Sequence, residues 1–373
     1  TAEEMAALDQ EVIEGLGLPG MVLMETAARG VFRQALKLLY EEYGPALPLI
    51  GHVCEEEDCD HEINPLELQP KMIAQGRVIR IFCGKGNNGG DGLTVARMLD
   101  SAGADVEIVL IGSADDLADD AFANFELADK LEIPIIEDAD PEDLFVEEDV
   151  HLVIDALLGT GIKGAARGRI ADAIDEINEA DCPILSIDIP SGVEGSTGKV
   201  EGPAVAADAT VTMAALKRGL VFSPGREMAG NIAIVDIGTP QKVIDAQDHY
   251  LWIPEEYDIL ELLPRRREDT HKGEVGRVFL LAGSRGLTGA ACMATEACVK
   301  SGAGLVVLGL PESLNTIAEV KLTEGMTIPL PENDEGNVSP EAADIIRKRL
   351  EWATAAVIGP GAGRSPDTIE LLL

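Results

Sequence analysis

At 373 residues the chain is longer than one hydrophobic core usually sustains, so two domains are expected. With 67 acidic against 29 basic residues, a net charge of -38, it lacks the basic face that a nucleic-acid partner requires. No apolar run approaches the roughly 18 residues a membrane span needs, and no signal-peptide pattern opens the sequence. Six cysteines without a disulfide framework point to cytosolic thiols, hence a cytoplasmic protein, and the dispersed acids to a solvated surface suited to high salt.

In chain order, Ala2 to Tyr43 reads as helical, interrupted at Leu18-Pro19-Gly20, with Glu25 expected to be a solvated carboxylate. A polar, acidic insertion follows over 45–75. It holds His52, Cys54, Cys59 and His61, whose spacing matches no standard zinc finger, so disorder is favoured there over a metal site. Val78, Ile79, Ile81 and Phe82 then form a β-type run that leads through Cys83-Gly84-Lys85-Gly86-Asn87-Asn88-Gly89-Gly90-Asp91-Gly92 into a helix over Leu93 to Leu99. Gly84, Gly86 and Gly89 satisfy a dinucleotide fingerprint, in which backbone N–H groups approach a phosphate at a helix N-terminus. Two asparagines and Asp91 inside that turn, and no acid at the tip of the next strand, imply a site that handles more than phosphate.

Alternating strands and helices continue through Val106–Ile111, Phe122–Leu131, Ile133–Ile136, Val150–Ile154, Ile170–Asn178, Pro183–Ile187, Ala209–Met213 and Ile232–Ile237. This order predicts an α/β, Rossmann-like, doubly wound parallel sheet, whose ligands bind beyond the carboxyl ends of the strands. Three chemically loaded stretches fall there: the asparagine-glycine turn, Asp155 with its glycine loop, and Asp188 to Ser191. Lys217 is read as a surface lysine rather than an anion contact. The stretch 241–261 reads as a linker, and a second α/β unit starts with a strand over Val275–Leu281. It continues with a turn over Ala282–Gly289, a helix over Ala290–Ser301 and strands over Leu305–Leu310 and Ala355–Ile358.

Gly86–Gly92, Asp155–Gly161 and Asp188–Gly192 give residues 1–240 a resemblance to the epimerase domain of NAD(P)H-hydrate repair enzymes. His271-Lys272-Gly273, Gly283-Ser284-Arg285, Thr288-Gly289-Ala290 and Gly359–Gly363 make residues 262–373 similar to the first part of the ribokinase-like dehydratase fused to it. The resemblance implies a substrate, NADHX or NADPHX, that carries a hydroxyl on ring carbon C6 and is interconverted between R and S epimers. It implies dinucleotide contacts from Asn87, Asn88, Gly89, Gly90 and Asp91 and from Gly159, Thr160, Gly161, Ile162, Lys163, Gly164 and Ala165. It also implies a potassium ion on Asn88, Asp155 and Ser191, and Asp188 as substrate contact and proton shuttle. A carboxylate, an amide oxygen and a hydroxyl are hard ligands of modest total charge, which suits a monovalent cation.

In the second unit the resemblance implies contact with the S epimer through Ala290 and Gly361, and dehydration dependent on ADP or ATP with Mg2+ in the intact protein. The glycine-rich Gly-x-Gly-Asp stretch of ribokinase-like enzymes is not found before the sequence stops. Residues 262–373 are therefore expected to be a truncated dehydratase domain that does not itself dehydrate, and unpaired sheet edges to favour a homo-oligomer. The rival readings are an ordinary Rossmann oxidoreductase, disfavoured by the missing ribose-binding acid, and a non-catalytic dinucleotide-binding or dimerisation module, disfavoured by the joint presence of Asn88, Asp155, Asp188 and Ser191.

Overall fold

In the computed structural model, which describes residues 1–46, 68–247, 251–263 and 268–372, the apolar run after Arg77 becomes strand β1 (Val78–Cys83) in the middle of a sheet. The other strands of this sheet are β2 (Asp105–Leu110), β3 (Ile135–Ile136), β4 (Leu152–Ala156), β5 (Ile184–Ile187), β6 (Ala209–Met213) and β7 (Asn231–Val235). Their order is β3-β2-β1-β4-β5-β6-β7, and every pair is parallel. Chain direction across the sheet reverses between β1 and β4, which opens a crevice at their carboxyl ends.

The helices of this unit are α1 (Ala2–Gln10), α2 (Gly20–Tyr43), α3 (Pro70–Ala74), α4 (Asn87–Ser101), α5 (Asp119–Lys130) and α6 (Arg169–Asn178), besides shorter turns. Strand alternation sorts the core into two layers. Ile79, Ile81 and Cys83 pack with Leu36, Leu93, Leu99 and Ala128 of α2, α4 and α5 on one face. Phe82, Val109 and Val153 pack with Ala173, Ile174 and Ile177 of α6 on the other. Both faces are covered, so the strands are almost wholly apolar. Arg80 is the exception on β1: it is buried, pairs with Glu147 at 2.7 Å and donates to the Phe145 carbonyl at 2.6 Å.

The chain divides into two compact units, Thr1–Tyr250 and Leu251–Leu373. In the second, β8 (Arg277–Leu281), β9 (Leu305–Pro311), β10 (Met326–Leu330) and β11 (Ala355–Ile358) form a parallel sheet ordered β10-β9-β8-β11. Strand β10 and the helices Asn315–Lys321 and Ala343–Trp352 lie in a stretch for which the sequence reading predicts no element. The larger correction concerns α4. It begins at Asn87, so the asparagine-glycine stretch predicted as a turn forms the first two turns of the helix itself. His52, Cys54, Cys59 and His61 lie outside the described residues. Among the described residues, no helix is long and apolar enough to cross a membrane.

Candidate active site

The crevice beyond β1, β4, β5 and β6 is a cleft of about 800 Å³. Asn88, Asp91, Gly159, Asp188 and Lys217 line it, and Asp9 of α1 joins them from the other end of the unit's sequence. Asn87, Thr160, Gly161, Ile162 and Ala165 also reach it. Gly89, Gly90, Lys163 and Gly164 are not part of the lining.

The glycines explain part of this division. A Cβ on Gly89 would lie 1.9 Å from the Gly84 carbonyl oxygen, and one on Gly92 would lie 2.6 Å from Ala156 Cβ and 2.8 Å from Cys83 Sγ. These positions are glycine so that α4 can press onto β1 and β4. Gly86, by contrast, faces open space and precedes a helix start with no side-chain cap, which leaves the first N–H groups of α4 directed at the cleft. Lys163 turns away to Glu3 at 3.4 Å.

Asp155, at the end of β4, is fully buried. It accepts hydrogen bonds from Ser186 Oγ at 2.8 Å, Ser191 N at 2.9 Å, Ser191 Oγ at 2.5 Å and Leu157 N at 3.2 Å. Burial pushes its carboxyl above the ordinary range, and the bonds from Ser191, Ser186 and Leu157 oppose that shift. Ser191 Oγ in turn accepts from Leu158 N at 2.9 Å, while Asn88 Nδ2 donates to the Leu158 carbonyl at 2.9 Å. Asn88, Asp155 and Ser191 therefore meet around the Leu157-Leu158 backbone, although they come from α4, β4 and the turn after β5. Asn88 Oδ1 is buried without a hydrogen-bond partner. An orphaned buried amide oxygen beside a hydroxyl and a carboxylate fits a hard monovalent cation.

Asp188 follows β5 directly and has φ +67°, a conformation that costs a non-glycine residue free energy and that folds retain chiefly at functional sites. Its backbone N–H donates to the Val211 carbonyl at 2.7 Å. The reading of Lys217 as a surface lysine is overturned: it is 2% exposed, and its Nζ lies 2.6 Å from Asp188 Oδ1 and 2.7 Å from the Met213 carbonyl. A buried ammonium needs a counter-charge, and Asp188 is that charge. Asp91 is affected in the opposite sense. Burial, then the neighbouring Asp188 and Asp9, push its carboxyl well above the carboxylate range, with Lys217 pulling back. Asp9 is likewise raised by burial, with Lys217 opposing and Asp188 adding.

Sequence reasoning missed Lys217 and Asp9. Lys217 carried a usable signal, since it follows a strand end as Asp155 and Asp188 do. Asp9 carried none, because an aspartate inside a helix is ordinarily solvated and nothing in its neighbours marks it. Glu25, expected to be solvated, pairs with Arg97 at 2.9 Å outside the cleft.

In the second unit, the loops after β8 and β11 converge. Ser284 Oγ donates to the Gly361 carbonyl at 2.8 Å, and Gly283 N donates to the Pro360 carbonyl at 2.9 Å. Gly361 has φ +66°, and a Cβ there would lie 3.1 Å from Ala290 Cβ, so these two predicted residues are neighbours.

Comparison with known proteins adds to this geometry. Residues 20–219 match the family described as YjeF-related protein N-terminus, and residues 278–373 match NAD(P)H-hydrate dehydratase. The bifunctional NAD(P)H-hydrate repair enzyme Nnr of Moorella thermoacetica is 37% identical over 100% of this chain and 65% of its own length. The Nnr enzymes of Salinibacter ruber and Thermofilum pendens are 35% and 32% identical, over 100% and 99% of this chain. The chain spans 66% and 64% of those two relatives.

Proposed function

We infer the function from family membership: the chain belongs to the family of NAD(P)H-hydrate repair enzymes, whose YjeF-related N-terminal region it carries over residues 20–219. On that footing, the first unit is an NAD(P)H-hydrate epimerase acting in the cytoplasm on NADHX and NADPHX. The observation that carries this reading is Asp188, held at φ +67° at a strand end inside a cleft that also presents Asn88, Asp91 and the start of α4.

The chemistry follows from the groups that line the cleft. The dinucleotide's phosphates sit against the uncapped N–H groups of α4 and the loop from Gly159 to Ala165. Epimerisation breaks the C6–O bond while the ring nitrogen's lone pair forms a double bond to C6, and the leaving oxygen takes a proton and departs as water. Asp91, half-buried and with its carboxyl pushed well above the carboxylate range by desolvation and by the neighbouring Asp188, supplies that proton. Asp188 removes a proton from the water that adds to C6 from the opposite face, and passing that proton back to Asp91 closes the cycle. Asn88 Oδ1, Asp155 and Ser191 would hold potassium, which supplies positive charge near the substrate's phosphates when bound.

The second unit, whose residues 278–373 match the dehydratase family, is read as carrying its dehydratase region, with Ala290 and Gly361 against the S epimer and dehydration dependent on ADP or ATP with Mg2+. Strand β11, an edge strand with exposed Ala355, Ala356 and Ile358, supports association between copies.

The test is conversion of purified R-NADHX to the S epimer, followed by chromatography in potassium chloride with spontaneous epimerisation subtracted. Conversion by the parent chain, lowered at least about 100-fold in Asp188→Asn, is expected for loss of a group that moves protons in the transition state. A parent chain no faster than the spontaneous rate would favour the binding-module reading.

A further inference from the structure

Strand β6 grips Asp188 at both ends. Val211 takes the Asp188 backbone N–H at 2.7 Å, Thr212 Oγ1 stands 3.5 Å from its Oδ1, and Met213 anchors Lys217, whose ammonium reaches the same Oδ1 at 2.6 Å. Among the described residues, the polar side-chain contacts of Asp188, from Thr212 and Lys217, therefore both fall on one carboxylate oxygen. The other has a different setting: a Cβ on Gly159 would lie 3.9 Å from Asp188 Oδ2 and 3.5 Å from Asn88 Cβ, so Oδ2 borders the free space between Gly159 and Asn88.

We propose that Lys217 is a positioning residue for Asp188, tying up Oδ1 so that Oδ2 alone is presented to the reacting ring. The proposal rests on the epimerase reading of the site. A lysine is suited to the task. Its stem crosses the apolar turn after β6, its charge compensates Asp188 in a setting where Asp9 and Asp91 add further carboxyl groups, and its second acceptor, Met213, belongs to its own turn. The ammonium is thus fixed before any ligand arrives, and the carboxylate with it. Without Lys217, Asp188 would be free to rotate about its side-chain bonds away from the neighbouring carboxyl groups, and either oxygen would meet the substrate at random.

The test uses the full chain carrying Lys217→Gln, which keeps a hydrogen-bond donor near Met213 and removes the charge. Misplacement of a reacting group by about an ångström costs on the order of 100-fold, so kcat for R-to-S conversion is expected to fall about 10- to 100-fold with KM changed less than about threefold. Combined with Asp188→Asn, the substitution is expected to lower the rate no further, because a residue acting through Asp188 has nothing left to position. Losses that multiply, or a loss confined to KM, would overturn the proposal.

Should Lys217→Gln fail to fold by circular dichroism, Lys217→Met, which keeps the apolar stem and removes the ammonium, reads the same point: lowered kcat at unchanged KM supports it, and parental kcat overturns it. A crystal structure of the folded variant gives an answer independent of activity and so separates failure of this proposal from failure of the epimerase reading. The Asp188 carboxylate is expected to have left its Thr212-facing position, and a carboxylate found unmoved would sink the idea even if the parent chain proved inactive.

Discussion

Gly159 illustrates how a missing methyl group leaves room for a ligand. A Cβ there would meet Asn88 at 3.5 and 3.8 Å and Asp188 Oδ2 at 3.9 Å, all ordinary contact distances, and its φ is not in the left-handed range. The protein therefore tolerates alanine at 159, but the ligand loses the volume. Gly159→Ala is expected to change stability by less than about 0.5 kcal/mol while raising KM for NADHX at least about tenfold, equivalent to roughly 1.4 kcal/mol of binding. Thermal melting and initial-rate kinetics check the two halves. Parental KM would place the dinucleotide elsewhere. Gly84 is the control, since a Cβ there would lie 1.9 Å from the Leu157 carbonyl oxygen and damage the fold itself. At this scale Asn88, Asp155, Asp188 and Ser191 were legible because polar residues at strand ends are conspicuous. Lys217 was misread although it follows a strand end, because a lysine there is ordinarily solvated and its partner Asp188 comes from the neighbouring strand.

The elements were legible where apolar periodicity is strong and misread where tertiary contact overrides local preference. Asn87 to Gly92 has poor helix propensity and reads as a loop, yet it is helical because Gly89 and Gly92 let α4 lie against β1 and β4 at distances a side chain would forbid. Helix α1 raises a different question, because it lies outside the 20–219 family match but carries Asp9 to the cleft. Leu8 is buried in the core with Met5 packed against it, and the polar ties of α1 are mostly exposed: Ala2 N donates to Ser196 Oγ at 3.0 Å, Ser196 Oγ donates to Glu3 at 2.9 Å, and Glu3 pairs with Lys163. Contacts of this kind hold weakly. Removing them with Ser196→Ala and Lys163→Ala together is expected to speed hydrogen exchange over 2–10 without touching β1 or β4. KM should rise a few-fold with kcat nearly kept, because the grip of β6 on Asp188 does not involve α1. A fall in kcat instead would mean that α1 acts on the reacting groups and not on access to them.

Across the whole molecule, the charge of -38 and the dinucleotide proposed as substrate set two opposing demands. The surface acids repel one another and the dinucleotide alike, while the cleft answers locally with the α4 N-terminus, Lys217, a raised Asp91 and the proposed cation site. Surface repulsion is screened by any salt, since the Debye length falls from about 30 Å at 0.01 M to about 3 Å at 1 M. Melting temperature is therefore expected to rise with potassium chloride and choline chloride alike. A gain of about 2 kcal/mol would appear as roughly 4–8 °C for a unit of this size. A site built on Asn88 Oδ1 predicts the opposite selectivity for activity: epimerisation should saturate with potassium, should not be restored by choline, and should lose its potassium dependence in Asn88→Ala while the salt effect on melting persists. Equal activation by both cations would assign the whole salt response to screening, and the orphaned Asn88 oxygen would then be a direct contact for the dinucleotide.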